Sequence, residues 1–72
     1  MTHQFTVVVE RDPESGWLVG EVTELPGCYT QAQDMAELEK NIREAILVYL
    51  ETAQDIRPFP EFVGLQRIEV AM

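Results

Sequence analysis

From position 5 the chain alternates. Phe5, Val7 and Val9 fall on one side of an extended backbone, and Thr6, Val8 and Glu10 on the other. That period of two predicts a strand over His3 to Arg11. Asp12-Pro13-Glu14-Ser15-Gly16 is a dense turn signal, and Trp17 to Val22 resumes a strand, so the first two strands form a hairpin. Gly20 inside the second strand points to a close approach of another backbone, or to a bulge. Leu25-Pro26-Gly27 marks a second turn, with Pro setting φ at the first corner and Gly supplying positive φ at the next. Cys28 to Gln33 follows as a third short strand, and antiparallel pairing of all three is the economical arrangement.

At position 34 the period changes. Asp34 reads as a helix N-cap, with Glu37 completing a variant capping box. The helix is expected from about Met35 to about Ala53. Met35, Leu38, Ile42, Ala45, Ile46, Tyr49 and Ala53 form its apolar stripe, and Glu37, Lys40, Glu44 and Glu51 lie opposite. Glu39 and Arg43 stand in the favoured i,i+4 order. Leu47 and Val48 break the pattern, either as scattered exposed apolar residues or as a subunit contact.

Arg57-Pro58-Phe59-Pro60-Glu61-Phe62 cannot continue the helix, because proline removes a donor and disfavours the α region before it. Phe59 and Phe62 are expected to fold back as a lid on the core. Leu65 to Val70 reads as a last strand, with Ile68 and Val70 on its apolar side. The predicted class is α+β, in the order β-β-β-α-β. A right-handed crossover would lay the fourth strand beside the first and parallel to it.

Length, cysteine content and charge narrow the function. The 72 residues hold one domain. At this size the conformational cost of folding and the gain from apolar burial nearly cancel, and small folds usually add a disulfide, a metal or a partner subunit. The single cysteine, Cys28, excludes an internal disulfide, and His3 and Cys28 lie too far apart in the chain to suggest a metal site. Association remains: a homo-oligomer, dimer or tetramer, or a complex with another protein. The net charge of -8 and the pI near 4.3 argue against direct contact with nucleic acid or anionic lipid. The five basic residues, Arg11, Lys40, Arg43, Arg57 and Arg67, are scattered. Such a surface suits a basic partner, although solubility alone would also account for it. There is neither an apolar run of membrane-spanning length nor a signal-peptide pattern. With one free cysteine this predicts a cytoplasmic protein.

Catalytic chemistry finds little support. A nucleophile needs a base beside it, and the one histidine, His3, lies near a terminus. Cys28 reads as a small half-buried hydrophobe. Glu10, Glu21 and Glu69 occupy three predicted strands, but their parity does not converge on one buried cluster of the kind Mg²⁺ chemistry needs. The expectation is a protein that is not an enzyme and has no cofactor.

Three segments together carry a resemblance: Phe5-Thr6-Val7-Val8-Val9-Glu10-Arg11-Asp12 with Gly16-Trp17-Leu18-Val19-Gly20-Glu21-Val22, then Leu25-Pro26-Gly27-Cys28-Tyr29-Thr30-Gln31, then Met35 to Ile46 with its Asn-Ile-x-Glu-Ala-Ile core. In these, and over nearly its whole length, the chain resembles the HicB family of antitoxins. The resemblance implies a partial ribonuclease-H-like fold without a working catalytic site. It also implies a role: direct binding and neutralisation of a small basic RNA-cleaving toxin of the HicA type, which relies on a histidine that the antitoxin covers. Many relatives carry a C-terminal DNA-binding segment. Here the sequence reaches Met72 about where the fourth strand should end, so residues 1–72 are expected to be a single HicB-like domain without a C-terminal DNA-binding domain. The alternative function is a homo-oligomeric structural or regulatory module without a toxin. Two surfaces are candidates for the interface: the edge of the third strand around Cys28, Tyr29 and Gln31, and the helix surface at Leu47 and Val48.

Overall fold

The computed structural model describes residues 3–52 and 59–72. Three strands and one helix form in the order β1 (Val7–Arg11), β2 (Leu18–Val22), β3 (Tyr29–Ala32) and α1 (Met35–Thr52). The sheet is antiparallel in the order β1-β2-β3, with Val9 opposite Gly20 and Gly20 opposite Thr30. The three predicted strands and the helix therefore form; β1 and β2 start later than the alternation suggested and end where it does, and β3 is one residue shorter at each end. Ala53 lies outside the described residues.

Local chemistry explains each junction. In the hairpin, Asp12 Oδ1 accepts the Glu14 N–H at 3.1 Å and Asp12 Oδ2 accepts the Ser15 hydroxyl at 2.9 Å. Gly16 takes φ 79°, and its N–H donates to the Asp12 carbonyl at 2.8 Å. At the second turn Gly27 takes φ 84° and the Cys28 N–H donates to the Leu25 carbonyl at 3.0 Å, as the Pro-Gly pair predicts. Asp34 caps α1: its Oδ1 accepts the Glu37 N–H at 2.8 Å. Glu37 reaches back to the Gln33 N–H at 3.4 Å, one residue before the cap. The Glu39–Arg43 pair closes at 2.9 Å on the exposed face.

The core is small: Leu18, Val22, Leu25, Cys28, Ala32, Leu38 and Ile42 are buried. Phe5, Val7, Ala45, Ile46 and Tyr49 pack around them, half-buried. Leu25 is fully enclosed, so the turn plugs the open end of the sheet with a side chain whose burial is worth about 2 kcal/mol. Gly20 lies beneath the helix residue Leu38. A Cβ there would stand 3.0 Å from Val7 Cγ1 and 3.4 Å from both Leu38 methyls. The close approach expected at Gly20 is made by these side chains, not by another backbone.

The fourth strand does not form. Residues 65–70 carry no strand pairing and are exposed, Ile68 and Val70 at 72% each. Helix α1 packs on β3 and β2, not on β1. The parallel crossover, and with it the β-β-β-α-β ribonuclease-H-like order, is replaced by a three-stranded sheet with one helix, still α+β. Phe59 and Phe62 do not cap the core. Phe59 rests in a side groove with Phe5 and Leu50, and Phe62 is half-buried. Met35, expected on the buried stripe, is 58% exposed beside the uncovered part of β1.

Candidate functional site: a concavity between the Leu-Pro-Gly-Cys turn and the helix

The Pro26–Gly27 turn and the start of β3 face the C-terminal half of α1 across an open concavity of about 510 Å³. One wall is built by Gly27, Tyr29 and Thr30, the other by Asn41, Glu44 and Val48. Two hydrogen bonds hold the walls at a fixed distance. The Tyr49 hydroxyl donates to the Pro26 carbonyl at 3.0 Å. The Asn41 amide donates to the Gln31 carbonyl at 3.2 Å, which occupies part of the outer edge of β3.

The sequence-nominated residues divide. Tyr29 and Val48 are exposed, at 65% and 57%, and share the concavity. Cys28 also reaches it but is itself buried in the core, and burial pushes its thiol pKa up, which suits a packed, unreactive sulfur. Gln31 and Leu47 are exposed and lie outside it. Asn41, Glu44 and Tyr49 were not singled out by the sequence reading. Their signal was present: positions 41, 44 and 49 are i, i+3 and i+8 along the helix, in the same half of its surface as Val48.

The electrostatics of this end are negative. After Arg43 the helix carries Glu44 and Glu51 and no basic residue in its last turn. The partial negative charge of a helix C-terminus adds to theirs. A further carboxylate, Glu24, accepts the Thr6 N–H at 2.7 Å where the chain enters β1. Partial burial pushes the Glu24 pKa up, but the hydrogen bonds to Thr6 outweigh it and hold the carboxyl below its ordinary value. Glu10 and Glu21 are exposed on the sheet face turned away from the helix, and among the described residues no three His, Cys, Asp or Glu side chains converge as a metal site. No helix among the described residues is long and apolar enough to cross a membrane.

Comparison with known proteins decides the family. The family model of the HicB-like antitoxins of bacterial toxin–antitoxin systems matches residues 5–69. The chain belongs to the HicB-like antitoxin family. Relatives extend over nearly the whole chain. A UPF0150 protein of Archaeoglobus fulgidus is 43% identical over 67 residues, covering 93% of this chain and 94% of its own. A UPF0150 protein of Thermotoga maritima is 39% identical over 66 residues, 92% of this chain and 88% of its own. One from Synechocystis is 42% identical over 67 residues, 93% and 94%. No solved structure matches significantly. For this HicB-like chain the family implies a regulatory, non-enzymatic part in a toxin–antitoxin system. The concavity is built by the same Leu-Pro-Gly-Cys and Asn-Ile-x-Glu-Ala-Ile segments on which the resemblance rested.

Proposed function

We propose that this HicB-like protein neutralises a basic, RNA-cleaving toxin of the HicA type by direct contact, and that the concavity beside the Leu-Pro-Gly-Cys turn is the contact surface. The family match over residues 5–69 carries this reading. The physical chemistry of the concavity supports it. Glu44 on one rim, the acidic end of α1 and the net charge of -8 attract a basic surface. Val48 offers apolar area against which an arginine or lysine stem packs, and Tyr29, paired with Glu21, stands exposed at the strand edge beside it. Covering the toxin's basic surface would exclude RNA, and no residue of this chain need do chemistry.

The test is RNA cleavage by a HicA-type toxin domain titrated with the purified protein. Cleavage should fall to background near equimolar protein. Tyr29→Ala and Glu44→Lys should each weaken binding by about tenfold, the range for a residue central to an interface. Unchanged cleavage at excess protein would remove this toxin class as the partner.

A further inference from the structure

A smaller pocket, of about 210 Å³, is lined by His3, Gln4, Phe5, Glu24, Leu50 and Phe59. It is distinct from the concavity. Val48 lines the concavity and Leu50 the pocket, and side chains two apart on a helix do not face each other. The walls are mainly apolar: Phe5 from the chain entering β1, Leu50 from the last turns of α1, and Phe59. Leu50 and Phe59 remain 39% and 42% exposed, so an aliphatic chain and an aromatic ring stand open at its mouth. The polar wall is Glu24. Its Oε1 accepts the Thr6 N–H at 2.7 Å, which fixes the carboxylate in place. Burial pushes its pKa up, the hydrogen bonds to Thr6 outweigh this, and the group is ionised at neutral pH. The one ion pair among the described residues is Glu39–Arg43, so within them Glu24 has no cation of its own.

We propose that this pocket receives one arginine side chain of a basic partner protein, with the stem against Leu50 and the phenylalanines and the guanidinium against the Glu24 carboxylate. The walls choose the occupant. The pocket is smaller than the roughly 300–1,000 Å³ of sites for cofactors or drug-sized ligands, and suits a single side chain. A wholly apolar occupant would cover the charge of Glu24 without a partner, which is costly. An anion would be repelled by Glu24 and by the end of α1, where no basic residue offsets the partial negative charge of the helix. A cation on an apolar stem satisfies both walls. Arginine does so better than lysine: its planar guanidinium stacks on aromatic rings, offers a carboxylate a fork of N–H donors, and is the more weakly hydrated. The net charge of -8 draws such a partner in. The assignment does not depend on the partner being a toxin.

The test titrates the full chain with N-acetyl-arginine amide and follows NMR shifts. Saturable shifts should appear at the Thr6 and Glu24 amides and the rings of Phe5 and Phe59. N-acetyl-citrulline amide has the same shape without the charge and should leave these signals in place, and N-acetyl-lysine amide should bind several-fold more weakly. Glu24→Gln keeps an acceptor for the Thr6 N–H, and Phe59→Ala removes a ring that is 42% exposed. Each should weaken arginine binding about tenfold while the remaining amide signals stay those of the folded chain. Glu10→Gln removes the same charge from the open face of the sheet and should leave the affinity unchanged. Arginine shifts that are absent from the pocket overturn the proposal, as does an equal response to citrulline or lysine, or an affinity that Glu24→Gln leaves as it was. Toxin capture by the concavity is read separately, by the cleavage assay.

Discussion

The Tyr49 hydroxyl donates to the Pro26 carbonyl at 3.0 Å across 23 residues of sequence. This contact ties the last turns of α1 to the turn between β2 and β3, and so fixes the width of the concavity. Tyr49→Phe keeps the ring and removes the bond. The expected loss of stability is about 1 kcal/mol, the net worth of one hydrogen bond, read as a lower urea midpoint at unchanged slope. A midpoint equal to wild type would mean that packing of the ring alone holds the helix there.

A side chain at Gly20 crowds its neighbours. A Cβ would already meet Val7 Cγ1 at 3.0 Å and the Leu38 methyls at 3.4 Å. Gly20→Val must push one of them aside, at a cost of about 1–3 kcal/mol, despite the better strand propensity of valine. A variant more stable than wild type in urea would show that the helix can lift from β2 without penalty.

Glu24 makes stability fall in acid. Its folded pKa lies below the ordinary value because the hydrogen bonds to Thr6 outweigh the effect of burial. Its contribution is therefore complete above the unfolded glutamate value of about 4.3, and is lost as the pH falls through the lower folded value. Urea midpoints measured from neutral pH downward should fall less steeply for Glu24→Gln than for wild type in that range. Superimposable profiles would remove Glu24 as a source of acid sensitivity.

Cys28 should be chemically silent while the chain is folded. It is 4% exposed, and burial raises its thiol pKa, whereas the thiolate is the reactive form. Labelling by a thiol reagent should be slow in buffer and fast in urea. Fast labelling under native conditions would mean that the Leu-Pro-Gly-Cys turn opens readily, and that Cys28 is available to a partner after all.

What could be read from the sequence was local. The alternation around Val7, the Pro26–Gly27 turn and the Asp34 cap each rest on a few neighbouring residues, and each formed as expected. The fourth strand was different, because alternation in Leu65 to Val70 shows that the segment suits a strand but not which edge it pairs with. That choice depends on which strands α1 covers, a tertiary fact set by Gly20 admitting Leu38 over β2. The concavity was half legible. Val48 stood out as an apolar residue out of place and Tyr29 as part of a free strand edge, while Asn41, Glu44 and Tyr49 look like ordinary helix residues until the turn is seen facing them. Cys28 was nominated for an interface by its neighbourhood, and its own side chain is part of the core.

The central claim is that this HicB-like protein captures a basic toxin. Light-scattering mass of the protein mixed with a HicA-type toxin domain tests it most directly. A new species of defined stoichiometry, heavier than either component and lost on Tyr29→Ala with Glu44→Lys, is the expected result. Two unchanged masses in the mixture would contradict it.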